Sequence, residues 1–353
     1  MDLLPLVRRS PGDRGVTADQ LVSVGPRRWW RWEFSFFALA AVWGCSFWWI
    51  KLGLHAVSFV DVALLRLAFG ALTLLAVSAA TGIRPPLRAR TWGHLFVLAL
   101  LFCSVPFTLF SYGETHISAV LAGLINALTP LTTVAASIVV FRSQRPRPRV
   151  VGGLALGLIG VLVVLGVWNG LGGGQLAGSL ACVGAVTCYG IGFPYSARYI
   201  TGRDGAEPPL ALATGQVVCG ALQLLVPALV VGQIRAHPPA TSFLALAALG
   251  ALGTGIAYMM NFDVIRNAPP AVASTVTYIV PIYAVIVGAA FLGEAVHWYE
   301  PVGAALILLG AAGSHGRLRR PRRPVRVPAP TAGIPPGSEL PVESLQGRDR
   351  RRG

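Results

Sequence analysis

The chain has 353 residues, of which 54% are hydrophobic and only 12% are charged, and its formal net charge is +15. A soluble domain usually carries about 25% charged residues, so this chain has too little polar surface to coat a water-soluble body of its size. Apolar runs of membrane-spanning length recur throughout, which excludes a soluble enzyme and a secreted disulfide scaffold. We expect an all-α polytopic membrane protein, because a backbone surrounded by lipid must satisfy its own hydrogen bonds.

The positive charge is concentrated at the two ends of the chain. Six Arg residues lie in 1–32 and ten lie in 316–353. Basic flanks of membrane helices set topology and contact anionic lipid headgroups, and the excess charge is not interleaved with aromatic residues as in a nucleic-acid groove. We therefore expect lipid and no nucleic acid as the partner of a basic N-terminal tail over 1–32 and a disordered Arg- and Pro-rich tail over 316–353.

Hydropathy predicts ten transmembrane helices, roughly over 34–54, 59–80, 93–112, 117–141, 150–168, 176–198, 208–232, 242–265, 270–292 and 299–315. With the N-terminus in the cytoplasm, 26 of the 29 Lys and Arg residues lie on the cytoplasmic side and two lie on the other side. This bias predicts that both termini are cytoplasmic. A single Lys among these 29 residues is typical of a GC-rich bacterial genome, which favours the plasma membrane.

The second half of the chain repeats the first at offsets of 146 to 151 residues. The matched positions are Trp43-Gly44 and Tyr189-Gly190, Arg66 and Gln216, Gly70 and Gly220, Pro130 and Pro281, Gly153 and Gly303, and Gly160 and Gly310. Each repeat, 33–168 and 176–315, holds five predicted spans, and this odd number means that the second copy enters the membrane from the opposite side. Two inverted five-helix repeats are typical of secondary transporters, which alternate between inward-open and outward-open states around a central site.

Several residues also carry a family resemblance, and they are Trp43-Gly44-x-x-Phe47, Arg66, Ala273-Ser274-x-x-x-Tyr278-x-x-Pro281, Leu292-Gly293-Glu294, Gly303 and Gly310. Over about 33–314, the chain resembles the EamA family of the drug/metabolite transporter superfamily. The resemblance implies a transporter of a small organic metabolite, such as an exporter of amino acids, related metabolites or drugs. One departure is Arg142-Ser143-Gln144, where the family usually has Gly-Glu after span 4, so a role for that pair is expected only in the second repeat.

Polar and aromatic residues inside the apolar spans are candidates for the lining of a substrate cavity. By resemblance, the cavity of the family is lined by spans 1, 3, 4, 6, 8 and 9, and the candidates in those spans are Trp43, Tyr112, Asn126, Tyr189, Tyr258, Asn261 and Tyr278. Each of them alternatively belongs to an interfacial aromatic belt or holds helices together. Trp43, Asn126, Tyr189 and Tyr278 are the first choices.

Three further residues have two interpretations each. Pro130 and Pro281 lie mid-span at matched positions, and each is either an ordinary packing kink or a hinge beside the cavity. Arg66 is an intramembrane charge, which is either functional or structural, in the second case snorkelling outward or pairing with Asp61. We find no carboxylate at mid-membrane, which argues against obligatory proton coupling through a buried acid.

No cofactor, catalytic residue or metal site is predicted. The run Gly172-Gly173-Gly174-x-x-Ala177 matches part of a dinucleotide-binding motif, but no strand precedes it, and the five cysteines lack zinc spacing. The alternative function, an intramembrane enzyme or lipid-modifying protein, would need catalytic side chains clustered at one depth, and a membrane sensor would need a folded soluble module. A homodimer is compatible with the primary prediction.

Overall fold

The computed structural model describes residues 29–84, 88–142, 148–169, 172–201, 208–233, 239–261 and 276–314. All of them lie in the first of two compact units, Met1–Gly316, and the second unit, Arg317–Gly353, lies outside the described residues. Residues 1–28 of the predicted tail 1–32, and the whole predicted tail 316–353, are therefore outside the described part of the chain. Within the described ranges the protein consists of helices and turns without a β-strand, which confirms the all-α class.

The helices of the described ranges are α1 (Trp29–Gly53), α2 (Phe59–Thr81), α3 (Ala89–Gly113), α4 (Ala119–Asn126), α5 (Thr129–Val139), α6 (Pro148–Val164), α7 (Gly173–Ser196), α8 (Pro209–Val231), α9 (Ala240–Asn261), α10 (Val276–Leu292) and α11 (Tyr299–Ser314). A short 3-10 turn, Val167–Asn169, follows α6, and π-helical turns extend α7 over Ala197–Thr201.

Seven of these helices are long and apolar enough to cross a membrane, or eight if the bent pair of α4 and α5 forms one span. The helices α10 and α11 are also apolar but are shorter within the described ranges. Every predicted span overlaps one of these helices or the bent pair. The helix α1 begins at Trp29, inside the predicted tail 1–32, and α10 is described from Val276 although its span was predicted from residue 270.

The predicted span 117–141 is not one continuous helix. It breaks at Ala127 and Leu128, and the axes of α4 and α5 meet at 40°. Pro130 lies in the first turn of α5 and not in the interior of a helix. As a proline it has no backbone N–H to donate to the Asn126 carbonyl. The Thr129 hydroxyl donates to that carbonyl at 2.8 Å instead, so the break is satisfied locally.

Two helices contain a π-helical segment, and the two segments lie at matched positions. They are Leu100–Ser104 in α3 and Ala251–Ile256 in α9. The first ends two residues before Pro106, whose missing N–H disfavours a regular α-helical turn. The second contains Gly253 and Gly255, which weaken helical preference. Single π turns inside α-helices occur frequently at functional sites, so the residues around these two segments are candidates for a functional site.

Contacts between helices occur in matched pairs. The helix α1 packs against α10, and α7, which carries the repeated motif of α1, packs against α5. Likewise α3 packs against α7 and α9 packs against α1, whereas α2 packs against α8, and α6 against α11. If each helix is replaced by its counterpart in the other repeat, every contacting pair becomes another contacting pair or itself.

Glycine permits two of these close approaches. A Cβ at Gly190 would lie 2.6 Å from Thr132 of α5, and a Cβ at Gly44 would overlap Tyr283 of α10. The tryptophan-glycine and tyrosine-glycine motifs therefore mark equivalent helix crossings. The predicted glycine pairs of α6 and α11 also meet, because a Cβ at Gly160 would lie 2.8 Å from the Gly303 carbonyl. Small residues allow this approach, which is how helices associate when lipid removes most of the hydrophobic driving force.

The outer surface of the bundle is apolar. Leu229 is 78% exposed and Val230 is 76% exposed, both near the end of α8. An apolar surface of this kind would be an aggregation liability in water. It is the expected surface of a multi-pass membrane protein, where the side chains face lipid tails.

Candidate transport site

Arg66 is buried at the centre of the contacts between α2, α3 and α9. Its side chain is 8% exposed, and its Nε donates a hydrogen bond of 3.1 Å to the hydroxyl of Thr254 in the π-helical segment of α9. Its guanidinium carbon lies 3.7 Å from the centre of the Phe107 ring, a cation–π contact. Ala63, Leu67 and Gly70 share this buried face of α2.

Both structural interpretations of Arg66 from the sequence are at odds with this geometry. The side chain points into the bundle and does not snorkel outward, and within the described ranges it forms no ion pair with Asp61. The Asp61 carboxylate instead accepts hydrogen bonds from the Ser58 hydroxyl at 2.8 Å and from the backbone N–H of Gln233 at 2.7 Å. Asp61 thus ties the start of α2 to the residues that follow α8.

Gln216 makes the matched set of contacts on α8. Its Nε2 lies 3.5 Å from the sulfur of Cys103, in the π-helical segment of α3, and donates to the Tyr258 hydroxyl at 3.4 Å. Thr254 and Cys103 are 151 positions apart, and so are Tyr258 and Phe107. Arg66 and Gln216 therefore reach equivalent partners, with one charged and one neutral side chain.

Two tyrosines complete this group of side chains, which we call the central cluster: Arg66, Cys103, Phe107, Tyr189, Gln216, Thr254 and Tyr258. Tyr189 and Tyr258 both pack against the buried cluster that contains Leu67, Cys103 and Phe107. The Tyr189 ring lies 6.0 Å from Phe102 and 6.1 Å from Phe110, measured between ring centres. The central cluster thus combines one cation, hydroxyl groups, an amide and aromatic faces, which are the elements of a site for a small polar organic molecule.

The other predicted cavity residues are distributed around this cluster. Trp43 and Tyr278 are half-buried and pack against the same hydrophobic core as Tyr189. Asn126 is the last residue of α4, and its side-chain oxygen accepts from Thr129 at 3.4 Å, beside the helix break. Asn261 ends the described part of α9 and is half-buried.

Tyr112 lies away from the central cluster. Its ring contacts Phe59 at 5.3 Å and His116 at 4.7 Å, near the end of α3. Pro130 and Pro281 are both buried, the first at the start of α5 and the second inside α10. The structure therefore brings Tyr189, Tyr258 and Arg66 together and leaves Tyr112 at the periphery.

Four members of the central cluster were not among the predicted cavity residues: Cys103, Phe107, Gln216 and Thr254. From the sequence, Gln216 stands out only as the neutral counterpart of Arg66. The repeat could have indicated two of them, since Cys103 and Thr254 are separated by the same 151 positions as Pro130 and Pro281. Because neither is conspicuous alone, their importance emerges only from the contacts with Arg66 and Gln216.

A second polar group lies where α1 ends and α2 begins. The Lys51 ammonium donates to the backbone carbonyls of Glu114 and Ile117, which follow α3, where a helix terminus favours a cation. The Glu114 side chain is 1% exposed, and neither of its carboxyl oxygens has a hydrogen-bond partner among the described residues. Burial raises the pKa of the Glu114 carboxyl well above its usual range, against the opposing effect of Lys51.

Glu294 closes the same end of the bundle. Its carboxylate oxygens accept hydrogen bonds of 2.8 Å from the backbone N–H groups of Ala119 and Val120, the first residues of α4. Ser118 caps the same helix through Leu121 at 3.0 Å. The Gly293-Glu294 pair thus links the end of α10 to the start of α4, whereas the first repeat has Ser143-Gln144, which lie outside the described residues.

The sequence matches a family of membrane transporters twice, in the same two halves that pack as matched pairs. The EamA-like transporter family aligns with residues 30–166 and again with residues 176–314. Together these matches cover more than half of the chain. The protein therefore belongs to the EamA-like transporter family, and it is a multi-pass membrane protein of that family.

Individual relatives are similar over most of their length. The uncharacterized inner membrane transporter YedA of Escherichia coli is 25% identical over 298 residues, which are 83% of this chain and 93% of the relative. A probable terminal-alkyne amino-acid exporter of Streptantibioticus cattleyicolor is 27% identical over 81% of this chain and 94% of its own length. The threonine/homoserine exporter RhtA of Salmonella typhimurium is 28% identical, over 45% of this chain and 54% of its own length.

A solved crystal structure has the same fold. It superposes on this chain with a TM-score of 0.56 at 21% sequence identity, and the match covers 80% of this chain and 95% of the other. At this identity the superposition shows the fold alone.

Proposed function

We propose that this protein is a secondary transporter that exports a small organic metabolite from the cytoplasm by alternating access. Its ten spans form two inverted five-helix repeats, over 33–168 and 176–315, with cytoplasmic tails over 1–32 and 316–353. The matched contacts of α1 with α10 and of α7 with α5 support this layout, and so do the two family matches. Inverted repeats provide two related conformations around a fixed central site.

The central cluster supports the proposal because both halves of the chain contribute residues to it. Arg66 and Gln216 come from different halves and make equivalent contacts to two π-helical segments, which also come from different halves. A site shared between two repeats changes its accessibility when one repeat moves against the other, which is the requirement for alternating access. Trp43, Asn126, Asn261 and Tyr278 are proposed as further lining residues, and Tyr112 as a residue at the mouth of the cavity.

Amino acids and related metabolites are the first substrates to test. Two relatives bear the names of amino-acid exporters, for threonine and homoserine and for a terminal-alkyne amino acid. A small-molecule substrate also suits the central cluster, whose polar groups are few and lie between aromatic faces. The plasma membrane of a bacterium is the proposed location, with the basic tails against anionic lipid headgroups and a homodimer as a proposed assembly.

The test is an export assay in cells that express or lack the protein. Cells are loaded with a mixture of amino acids that includes homoserine, and their efflux is followed by mass spectrometry. Faster efflux of at least one solute, abolished by Arg66→Ala, would support transport through the central cluster. Equal efflux from both strains for every solute, with the protein present in the membrane, would contradict an export function for these substrates.

A further inference from the structure

We propose that Arg66 is the binding group for a carboxylate of the transported molecule, so that the substrates are monocarboxylates, amino acids among them, with an apolar or aromatic remainder. This inference deepens the proposed function and rests on it.

The guanidinium of Arg66 has little protein bonding for a buried cation. It carries five N–H donors, and within the described ranges its one hydrogen bond joins Nε to Thr254. The only ion pair among the described residues is that between His297 and Glu300, so Arg66 has no acidic partner within 4.0 Å there. A cation taken out of water is costly unless an opposite charge accompanies it.

Glu114 is a buried acidic residue that directly follows α3, and it does not supply the missing charge. Its carboxyl oxygens have no hydrogen-bond partner among the described residues. Burial raises the pKa of this carboxyl, which favours its neutral form. Among the residues that the structure describes, the countercharge of Arg66 is therefore left for a bound molecule to provide.

The free part of the guanidinium matches a carboxylate. Nε binds Thr254, and the two terminal nitrogens have no hydrogen-bond partner within the described part of the chain. Their planar arrangement fits the two oxygens of one carboxylate in a paired hydrogen bond. Phe107 covers one face of the guanidinium at 3.7 Å, so a carboxylate would bind at its edge.

The difference between the halves limits the charge of the substrate. Gln216 is neutral where Arg66 is charged, and its amide is occupied by Cys103 and Tyr258. The central cluster thus offers one cation, which suits a single negative charge better than a phosphate or a dicarboxylate. The rings of Phe107, Tyr189 and Tyr258 surround the rest of the molecule with aromatic surface.

Binding is measured first, on the purified full-length protein in detergent, as the shift in melting temperature with matched acid and amide probes. The probes are L-phenylalanine with L-phenylalaninamide, and L-threonine with L-threoninamide. We expect an acid to stabilise the wild type and its amide to bind about tenfold more weakly, because a charge-assisted hydrogen-bond pair is lost. Arg66→Gln introduces the residue that the fold already accommodates at the matched position 216. In this variant the acid and its amide should bind with equal affinity.

Two further variants separate recognition from folding. Arg66→Lys keeps the charge and loses the planar fork, so its preference for the acid should be intermediate between those of the wild type and Arg66→Gln. Arg90→Gln removes a charge from an exposed residue of α3 and should leave the preference unchanged. The proposal is overturned if amides stabilise the wild type as well as acids do, if neither acid binds, or if folded Arg66→Gln retains the preference.

Transport in proteoliposomes then distinguishes this proposal from the proposed function. If the acid binds through Arg66 but is not moved across the membrane, the assignment of Arg66 stands and the transport function fails. If the acid and its amide are transported at equal rates, the transport function stands and the assignment of Arg66 is wrong.

Discussion

Glu294 and Ala119 are joined by a hydrogen bond of 2.8 Å, in which the backbone N–H of Ala119 donates to Oε1 of a residue 175 positions later. Val120 donates to the other oxygen of the same carboxylate at 2.8 Å. The end of α10 is thereby fixed to the start of α4, the short helix that precedes the break. The sequence marks this residue only as the acid of a family motif, and its partner is apparent from the structure.

Replacing Glu294 by Ala should destabilise the bundle at this end. The variant loses two charge-assisted hydrogen bonds at a helix N-terminus, which are worth about 1–3 kcal/mol. We expect a lower melting temperature in detergent and faster hydrogen exchange at Ala119 and Val120. Glu300→Ala is the matched control, since Glu300 accepts from His297 at the start of its own helix and should affect α11 alone. Unchanged exchange in α4 would contradict the role of Glu294.

Gly190→Ala should disrupt the crossing of α7 and α5. The added Cβ would lie 2.6 Å from Thr132, so the helices must separate, at a cost of roughly 1–3 kcal/mol. Gly93→Ala is the control, because nothing lies within 4 Å of a Cβ there and Ala favours the helix by about 0.5–1 kcal/mol. Melting temperatures of both variants, measured in the same detergent, should move in opposite directions, and a parallel change would argue against the close approach.

Pro281→Ala should impair transport without loss of stability. Pro281 lies inside α10 and is buried, so the substitution restores a hydrogen bond and straightens a helix that borders the core. A bias of about 1.4 kcal/mol toward one open state would lower the other population roughly tenfold. Pro130→Ala should have a smaller effect, since Pro130 occupies a first helical turn, where proline is tolerated.

Pro227→Ala is the control for this pair. Pro227 lies inside α8 but is exposed on the outer surface, so transport should be preserved. Export rate and melting temperature are measured for all three variants. Normal export by Pro281→Ala would show that this proline is a packing kink and no hinge.

Glu114→Gln should change how stability depends on pH. Burial raises the pKa of Glu114 above its value in the unfolded chain, so the folded state binds more protons and the stability of the wild type falls as the pH rises above about 4.3. Glutamine cannot ionise and removes this loss. The melting temperature of the variant should therefore exceed that of the wild type by more at pH 8 than at pH 5. A constant difference across this range would indicate that Glu114 is ionised in the folded protein.

Both tails should be accessible only from the cytoplasm, because 26 of the 29 Lys and Arg residues lie on that side in the predicted topology. Cysteines placed at positions 20 and 340, in a variant without the native five, are treated with a membrane-impermeant maleimide. In intact cells neither should react, and both should react after permeabilisation. Reaction of either cysteine in intact cells would contradict the predicted orientation.

The helical class and the matched glycine positions could be predicted because each has a direct sequence signal. The repeat matches Gly153 and Gly160 of α6 with Gly303 and Gly310 of α11, and the structure brings Gly160 and Gly303 together. Span length and residue type suffice for such features. The family resemblance is likewise confirmed, since the family aligns with both halves of the chain.

The orientation of Arg66 and the helix break could not be predicted in the same way. A helix in lipid is apolar on both its outer and inner faces, so hydrophobic periodicity does not show which face is buried. The small residues beside Arg66, Ala63 and Gly70, are the better signal of the inner face. The break at Ala127 depends on Thr129 satisfying the Asn126 carbonyl, a contact that only coordinates reveal.

The unequal pair of Arg66 and Gln216 has an energetic consequence for the proposed cycle. In a carrier with identical halves, exchanging the conformations of the halves would turn one open form into the other at equal free energy. Arg66 and Gln216 lift that degeneracy, so the empty carrier has a preferred resting form. A bound anion that neutralises Arg66 brings the two forms closer in energy and lets the loaded carrier change form more readily. Exchange of labelled for unlabelled substrate should then run faster than net efflux.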